Sequence, residues 1–458
     1  MLKERIAKKE DEEKIGWIKR FMEHEGLIPG FHDEVQADPA GTIRKYGFPL
    51  TPEEVSFDRS EPGHIYDMKP VFPETAASTY AKFMKSKIAS RDQIKKDSVP
   101  SLEAMRKWHK RQTGRCLAQL GARSDAMVHV PFTMELADGC SVGCEFCGLN
   151  AGKLKSIFRY TDENALLFRE ILVGAKELIG DAAGQGTLYF ASEPLDNPDY
   201  ELFLKDFMEV FHKIPQITTA VALRHKDRLH ELLKDVNEEG KTIYRFSCLS
   251  LETVRQIFKE FTPKELVYTE LLPQFEEAPG SAFANAGRRS NKSGQLDNTI
   301  SCVSGFVVNF ARKTVRLTTP VPADEAHPTG EILLGEVPFE DSADCINAMK
   351  EMIRINMSNL IGPKDRIRVR KGFTYKEECG KIIIENDIGA RYEMNAEKGT
   401  DFYKNMFEIM SGGYHTKSEV VTELLKPYEG AIVRSDLFHY CINRMWESGI
   451  LELESGKV

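Results

Sequence analysis

Three of the nine cysteines stand within eight positions, spaced C-x3-C-x2-C in Cys140-Ser-Val-Gly-Cys144-Glu-Phe-Cys147. Thiolates suit iron–sulfur clusters and zinc. A structural zinc site normally takes four protein ligands, and no fourth Cys or His follows close by in the sequence. Three thiolates on a cubane leave one iron open for a substrate or cofactor. One [4Fe-4S] cluster is therefore the expected occupant, with a zinc knuckle or three structural thiols as the alternative. The remaining cysteines, Cys116, Cys248, Cys302, Cys345, Cys379 and Cys441, stand alone. The chain starts MLKERIAKKEDEEKIGW, which lacks the apolar stretch of a signal peptide. A reducing cytoplasm is expected, where scattered cysteines are not a disulfide framework.

The elements that must position this triplet read as β/α alternation. MVHVPFTMEL, just before Cys140, alternates like a strand. Residues 162–179 carry Leu167, Phe168, Ile171, Leu172, Ala175 and Leu178 at helical spacing. TLYFAS, TTAVAL, TIYRFSCLS, LVYTEL and SGFVVNF read as further strands with helices between them. That order predicts a parallel sheet, closed or part-closed as a barrel, with its chemistry at the C-terminal strand ends. Between Leu271 and Thr299 the stretch EEAPGSAFANAGRRSNKSGQ reads as a long lid or binding loop. FVVNF and TVRLTTP predict a hairpin around Ala311-Arg312-Lys313. In the charged, helical first 125 residues, Asp38-Pro39 reads as a helix start and Gly47 as a stop.

The expected organisation is a helical region over 1–125, a barrel over 126–330, a connecting helix over 331–363 and a separate α+β unit over 364–458. In the last, RIRVRKGFTYKEE, GKIIIEN and ARYEMN read as strands and three helices follow. The middle helix starts with a Thr416–Glu419 capping box. The composition narrows the partners. No apolar run is long enough to span a bilayer. A net charge of −8 gives no footprint for nucleic acid, and DLFHYCINRMWESG is too weakly basic to favour phosphate contact.

The cysteine spacing, with Phe146 just before the third Cys, resembles the signature of the radical S-adenosylmethionine superfamily. The resemblance implies a partial (β/α)6 barrel and a cluster whose open iron is chelated by the methionyl group of S-adenosyl-L-methionine. It places Phe146 against the adenine. Ala191-Ser192-Glu193-Pro194, continuing Leu-Asp-Asn-Pro-Asp-Tyr, resembles the family's Gly-Gly-Glu-Pro element. There Glu193 and the strand-end backbone near Ser192 would hold the cofactor amine, although both glycines are replaced. Arg224 and Ser250, near later strand ends, are weaker candidates for the cofactor or for helix capping. The family draws its electrons from an external donor such as flavodoxin or ferredoxin.

The terminal unit resembles the winged-helix-like precursor-recognition module typified by the pyrroloquinoline quinone peptide chaperone, with Asn395, Gly412-Gly413 and Thr416 at matching points. Residues of about 30–55 are similar to proteusin leader peptides. Together these resemble the proteusin peptide epimerases, which bind a precursor through its leader and turn L-residues into D-residues. Such chemistry needs a thiol to return hydrogen. Cys379, in the turn KEECGK, is the expected donor, with Cys248 and Cys302 as alternatives. A peptide cross-linking maturase and, more distantly, a non-catalytic metal-binding regulator remain open at this point.

Overall fold

In the computed structural model of the chain, residues 4–58, 69–281, 283–290, 299, 301–358, 360–395, 401–428 and 435–454 are described. Parts of the expected lid loop, at 282 and 291–298, and residues 396–400 lie outside them.

The N-terminal region is helical: α1 (Glu12–Leu27), α2 (Phe31–Ala37), α3 (Pro39–Lys45), α4 (Ala76–Asp97) and α5 (Glu103–Leu120). Asp38 caps α3 by accepting from the Gly41 N–H, and Pro39 fills the first helical position, where no donor is needed. The leader-like stretch is built into the main core. Phe31 and Phe48 pack edge-on against Phe21 at 5.3 and 5.4 Å, and Val35, Ile43 and Val55 are buried beside them.

The barrel region contains β1 (Val130–Glu135), α6 (Asp162–Ile179), α7 (Tyr200–Phe211), β2 (Thr218–Thr219), α8 (Lys226–Glu239), β3 (Tyr244–Cys248), α9 (Leu251–Glu260), β4 (Thr269–Pro273), β5 (Val303–Asn309), β6 (Thr314–Pro320), β7 (Glu331–Pro338) and α10 (Ser342–Asn356). β2, β3 and β4 pair in parallel. β1 pairs in parallel with β5, and β6 and β7 extend that sheet antiparallel.

Four sequence expectations change here. TLYFAS forms no ladder strand. The Thr187 carbonyl takes the Met134 N–H at 2.9 Å, but Glu135 Oε1 takes the Ala191 N–H at 2.7 Å, so a side chain replaces the next ladder partner. TTAVAL shrinks to Thr218–Thr219, because the chain turns at once into α8. The sheet is not a simple (β/α)6 succession, since the fifth parallel strand, β5, lies beside β1. Residues 331–363 are not only a helix: Glu331–Pro338 pairs along β6, and α10 follows.

The C-terminal unit contains β8 (Arg366–Val369), β9 (Thr374–Glu378), β10 (Lys381–Glu385), β11 (Arg391–Asn395), α11 (Asp401–Ser411), β12 (His415–Thr416), α12 (Lys417–Leu425), α13 (Ser435–Glu447) and β13 (Leu451–Leu453). RIRVRKGFTYKEE is two strands rather than one, because Gly372 turns the chain at φ +90°. β8 joins β12 and β13, whereas β9, β10 and β11 form a separate meander. The Thr416–Glu419 capping box is present at the start of α12. This unit has its own apolar core, from Ile361 to Leu453, which reaches the rest of the chain at Ala118 of α5.

α5 crosses the strand starts. Arg115 donates to Thr319 Oγ1 at 3.0 Å and to the Pro320 carbonyl at 2.6 Å, at the end of the antiparallel β6. The terminal unit packs on α5 from the far side. Asn386 donates to the Ala118 carbonyl at 3.0 Å and Tyr392 to the Gly114 carbonyl at 3.2 Å. The unit therefore docks at the strand starts, the opposite end of β1 from Cys140.

Candidate functional site

β1 is buried along its whole length, which fixes where the chain emerges at Cys140. Gly139 precedes it at φ +90°, and a Cβ there would meet the Lys153 carbonyl at 2.2 Å, so only glycine lets the loop close on itself. The Cys140 N–H then donates to the Gly152 carbonyl at 2.9 Å. All three thiols are half-buried on this loop.

Backbone N–H groups point at the sulfurs. Ala151 donates to Cys147 Sγ at 3.3 Å. Burial pushes the Cys140 thiol up, against N–H groups of Val142 and Gly143 that favour the thiolate. The Cys144 thiol hydrogen-bonds Cys147, which pushes Cys144 up and draws Cys147 down. Among the described residues no three His, Cys, Asp or Glu side chains converge as ligands of one metal ion. A single zinc needs that convergence. A cubane does not, because each thiolate takes a different iron. Three half-buried loop thiols with N–H donors fit a cubane.

Contacts from distant parts of the chain hold the loop. Asp196 accepts from the Ser141 N–H at 2.9 Å and from its hydroxyl at 2.5 Å. Arg224 donates to the same hydroxyl at 3.2 Å. Arg288 donates to the Cys144 carbonyl at 2.7 Å and to that of Ala151. Phe146 stacks on Phe283 at 4.8 Å and 15°, with the Arg289 guanidinium over both rings at 4.7 and 4.0 Å. One side of Phe146 is therefore protein-covered, a partner for that ring that the sequence did not reveal.

Glu193 is 4 % exposed. Its carboxylate accepts from the N–H groups of Ala220 at 2.9 Å and Leu195 at 3.2 Å, bridging the 187–197 segment to the end of β2. Burial pushes its pKa up to about 7, and no cation is among the causes of that shift. Ser192 is half-buried beside it. A cavity of about 190 Å3 opens nearby, lined by residues 220–224, Ser247, Thr253 and Ile257. Ser250 does not line it: its hydroxyl caps α9 by accepting from the Thr253 N–H at 3.1 Å.

The three donor candidates part company. Cys248 is fully buried, and its surroundings include Glu23 and Lys19 of α1, outside the sheet. Cys302 is exposed to solvent, yet its electrostatic neighbours are Arg245 of β3, Glu331 of β7 and Tyr189. Arg245 and Glu331 stand at the starts of β3 and β7, and the Cys302 carbonyl accepts from the Val130 N–H at 2.9 Å, so this thiol lies just before β5 at the strand-start end. Desolvation by the surrounding protein raises its pKa, Glu331 adding to the rise and Arg245 opposing it. Cys379 is exposed in the β9–β10 turn at φ +51°. That turn lies at the far end of β10 from Asn386, which docks on α5. The geometry brings Cys140, Cys144, Cys147, Phe146, Glu193 and Arg224 to the strand-end face and does not bring Cys379 there. Cys379 stands instead on the unit that docks on α5 at the strand starts.

Asp196, Phe283, Arg288 and Arg289 were not singled out in the sequence. Asp196 lay inside the quoted Leu-Asp-Asn-Pro-Asp-Tyr run. The paired arginines were adjacent charges in an otherwise uncharged stretch of the long loop. No helix among the described residues is long and apolar enough to cross a membrane.

No family model matches the chain. A solved structure, BtrN in complex with AdoMet and 2-DOIA, is similar over 50% of this chain and 82% of its own, at 15% identity and a TM-score of 0.33. A likeness that distant carries no argument. The uncharacterized protein y4wI of Sinorhizobium fredii is 32% identical over 380 residues, which cover 79% of this chain and 74% of that protein. The chain belongs to the same family as y4wI.

Proposed function

We propose that this chain is a radical S-adenosylmethionine epimerase that inverts L-residues to D-residues in a ribosomally made precursor peptide of the proteusin type. The observation that carries the reading is the loop after β1: three half-buried thiols with N–H groups aimed at sulfur, beside a buried Glu193 carboxylate that no described cation pairs with. When bound, a [4Fe-4S] cluster and S-adenosylmethionine supply a 5′-deoxyadenosyl radical able to take Hα from a peptide residue. The chain's own task is to hold and orient these groups. Cys140, Cys144 and Cys147 would each hold one iron. Glu193 would receive the methionyl ammonium, because a desolvated carboxylate gains most from a cation that arrives with it in a site of low dielectric. The cavity beside Ala220 and Ser247, with Arg224 at its edge, would take the adenosine portion.

A Cα radical is planar, so the face that receives hydrogen sets the product. Cys302, an exposed thiol at the start of β5 in the main sheet, is favoured over the buried Cys248 and over Cys379 of the terminal unit. The transfer breaks an S–H bond, forms Cα–H and leaves a thiyl radical. One electron from an external flavodoxin- or ferredoxin-type donor, with a proton from water, restores the thiol. The terminal unit would capture the leader by strand addition at an exposed edge of its β9–β10–β11 meander.

The test is co-expression with a precursor peptide in deuterated water, with Cα deuterium mapped by mass spectrometry. Inverted, singly deuterated residues with unchanged connectivity are expected, and none should form when Cys140, Cys144 and Cys147 are Ala. Loss of two hydrogens without inversion would instead identify a cross-linking enzyme.

A further inference from the structure

Residues 283–290, the middle of the long loop after β4, lie directly on the cysteine loop. The Arg288 N–H donates to the Cys147 carbonyl at 3.0 Å, while its guanidinium reaches the carbonyls of Cys144 and Ala151. One residue thus holds both limbs of the loop's second turn. The backbone approach is equally close. Gly287 sits at φ +60°, and a Cβ there would meet the Cys147 carbonyl at 2.3 Å. Its N–H donates to the Pro328 carbonyl at 2.7 Å, which ties the strap to the loop between β6 and β7. Arg289 extends the clamp: it is 5 % exposed, lies over Phe146 and Phe283, and meets Glu276 at 2.6 Å. At the loop's other end Gly280 donates to the Gly26 carbonyl at 3.0 Å, at the end of α1.

We infer that this strap is the brace of the iron–sulfur site and that Arg288 is its positioning residue, shaping the cysteine loop through three carbonyls and setting a fixed positive charge beside the cluster. The inference rests on the reading of Cys140, Cys144 and Cys147 as cluster ligands. Two physical consequences follow. A guanidinium that bridges two carbonyls cannot be replaced by an ammonium, which is a point charge without the planar fork. A cation next to the cluster favours its reduced, more negative state.

The two roles separate in substitutions. Arg288→Met should keep the protein folded, as judged by circular dichroism, yet release iron to a chelator at least tenfold faster than the parent holoprotein. It should also lower the cluster midpoint potential, read by anaerobic redox titration with electron paramagnetic resonance. A tenfold loss of preference for the reduced state would read as about 59 mV for one electron. Arg288→Lys should hold the potential close to that of the parent but still release iron faster. Gly287→Ala should loosen the cluster with the charge intact, since it acts through the backbone alone.

If Arg288→Met retains iron and potential like the parent, the inference is overturned. If Arg288→Met and Arg288→Lys shift the potential equally, the charge role falls. If the parent protein itself takes up no cluster on anaerobic reconstitution, the cluster-ligand reading fails first, so the two failures are distinguishable.

Discussion

At the strand ends, the cysteine loop is shaped by side chains that reach in from far along the chain: Asp196 and Arg224 on Ser141, Arg288 on Cys144 and Ala151. Its groups are half-buried and its thiols remain accessible. At the strand starts the arrangement is the reverse. α5 lies across the sheet with Trp108 fully buried and Arg111, Gln112, Arg115 and Cys116 at most 2 % exposed. His109 and His129 are buried there too, and burial pushes both below the ordinary imidazole range, His129 to about 3. His109 Nε2 lies 2.6 Å from the His129 carbonyl, and His129 Nδ1 lies 2.9 Å from the Ser304 hydroxyl. One face is held open by backbone contacts, and the other is sealed by a polar network inside a packed interface. The cofactor-binding groups belong on the first face, whereas Cys302, just before β5, lies toward the second.

The largest expected effect tests which thiol, the one beside the main sheet or the one on the terminal unit, returns hydrogen. Cys302→Ala should keep the cluster and still form 5′-deoxyadenosine while D-residue formation falls at least a hundredfold. Cys379→Ala should invert residues at nearly the parental rate. Both are read by acid hydrolysis and chiral amino-acid analysis of the co-expressed peptide. The reverse outcome would break the comparison, because it would require the terminal unit to leave α5 during turnover.

Much of this was legible in the sequence, and the reasons for the gaps are specific. The cysteine spacing and its place after a strand are local, so Cys140, Cys144 and Cys147 were found at once. The Asp38 cap and the Thr416–Glu419 box were found for the same reason. TLYFAS was misread because β propensity does not reveal that Thr133 and Glu135 side chains satisfy its backbone. The parallel pairing of β5 with β1 joins residues about 170 positions apart, as in Thr133 with Val307, and no local pattern encodes it. The place of the Cys379 turn depends on the docking of Asn386 and Tyr392 on α5, which no local pattern encodes. Arg288 escaped because its three acceptors are carbonyls, which any sequence supplies.

A smaller effect concerns Glu193, a buried carboxylate of the strand-end face whose pKa burial raises to about 7. Its folded-state value exceeds its ordinary one, so the folded chain binds the proton more tightly than the unfolded chain. Stability from this group is therefore lost as pH rises from about 4.5 to about 7 and is level above that. The size is on the order of 3 kcal/mol. Glu193→Gln should flatten this part of the profile, so that the melting temperature of the variant relative to the parent is higher at pH 8 than at pH 5. Saturating S-adenosylmethionine should shrink the difference in the parent by placing an ammonium beside the carboxylate. An identical pH dependence in parent and variant would show that Glu193 is already ionised when folded.

The smallest effect measures how independent the two ends are. Thr416 caps α12 and Glu419 returns the bond to the Thr416 N–H at 2.7 Å. Thr416→Ala should cost about 1 kcal/mol, as loss of such a cap does. The terminal unit has a core of its own and meets α5 through Ala118, hydrogen bonds to the Ala118 and Gly114 carbonyls, Arg111 over the Trp446 ring at 4.8 Å and the Lys110–Glu447 ion pair. The loss should therefore stay local. Hydrogen exchange on the full chain should show roughly fivefold less protection for α12 amides. Amides of β1 and β5, in the main core, should be unchanged. Equal loss in β1 and β5 would mean that α5 couples the two cores into one cooperative unit. The strand-start face would then be a lever on the cysteine loop and no longer only a seal beneath it.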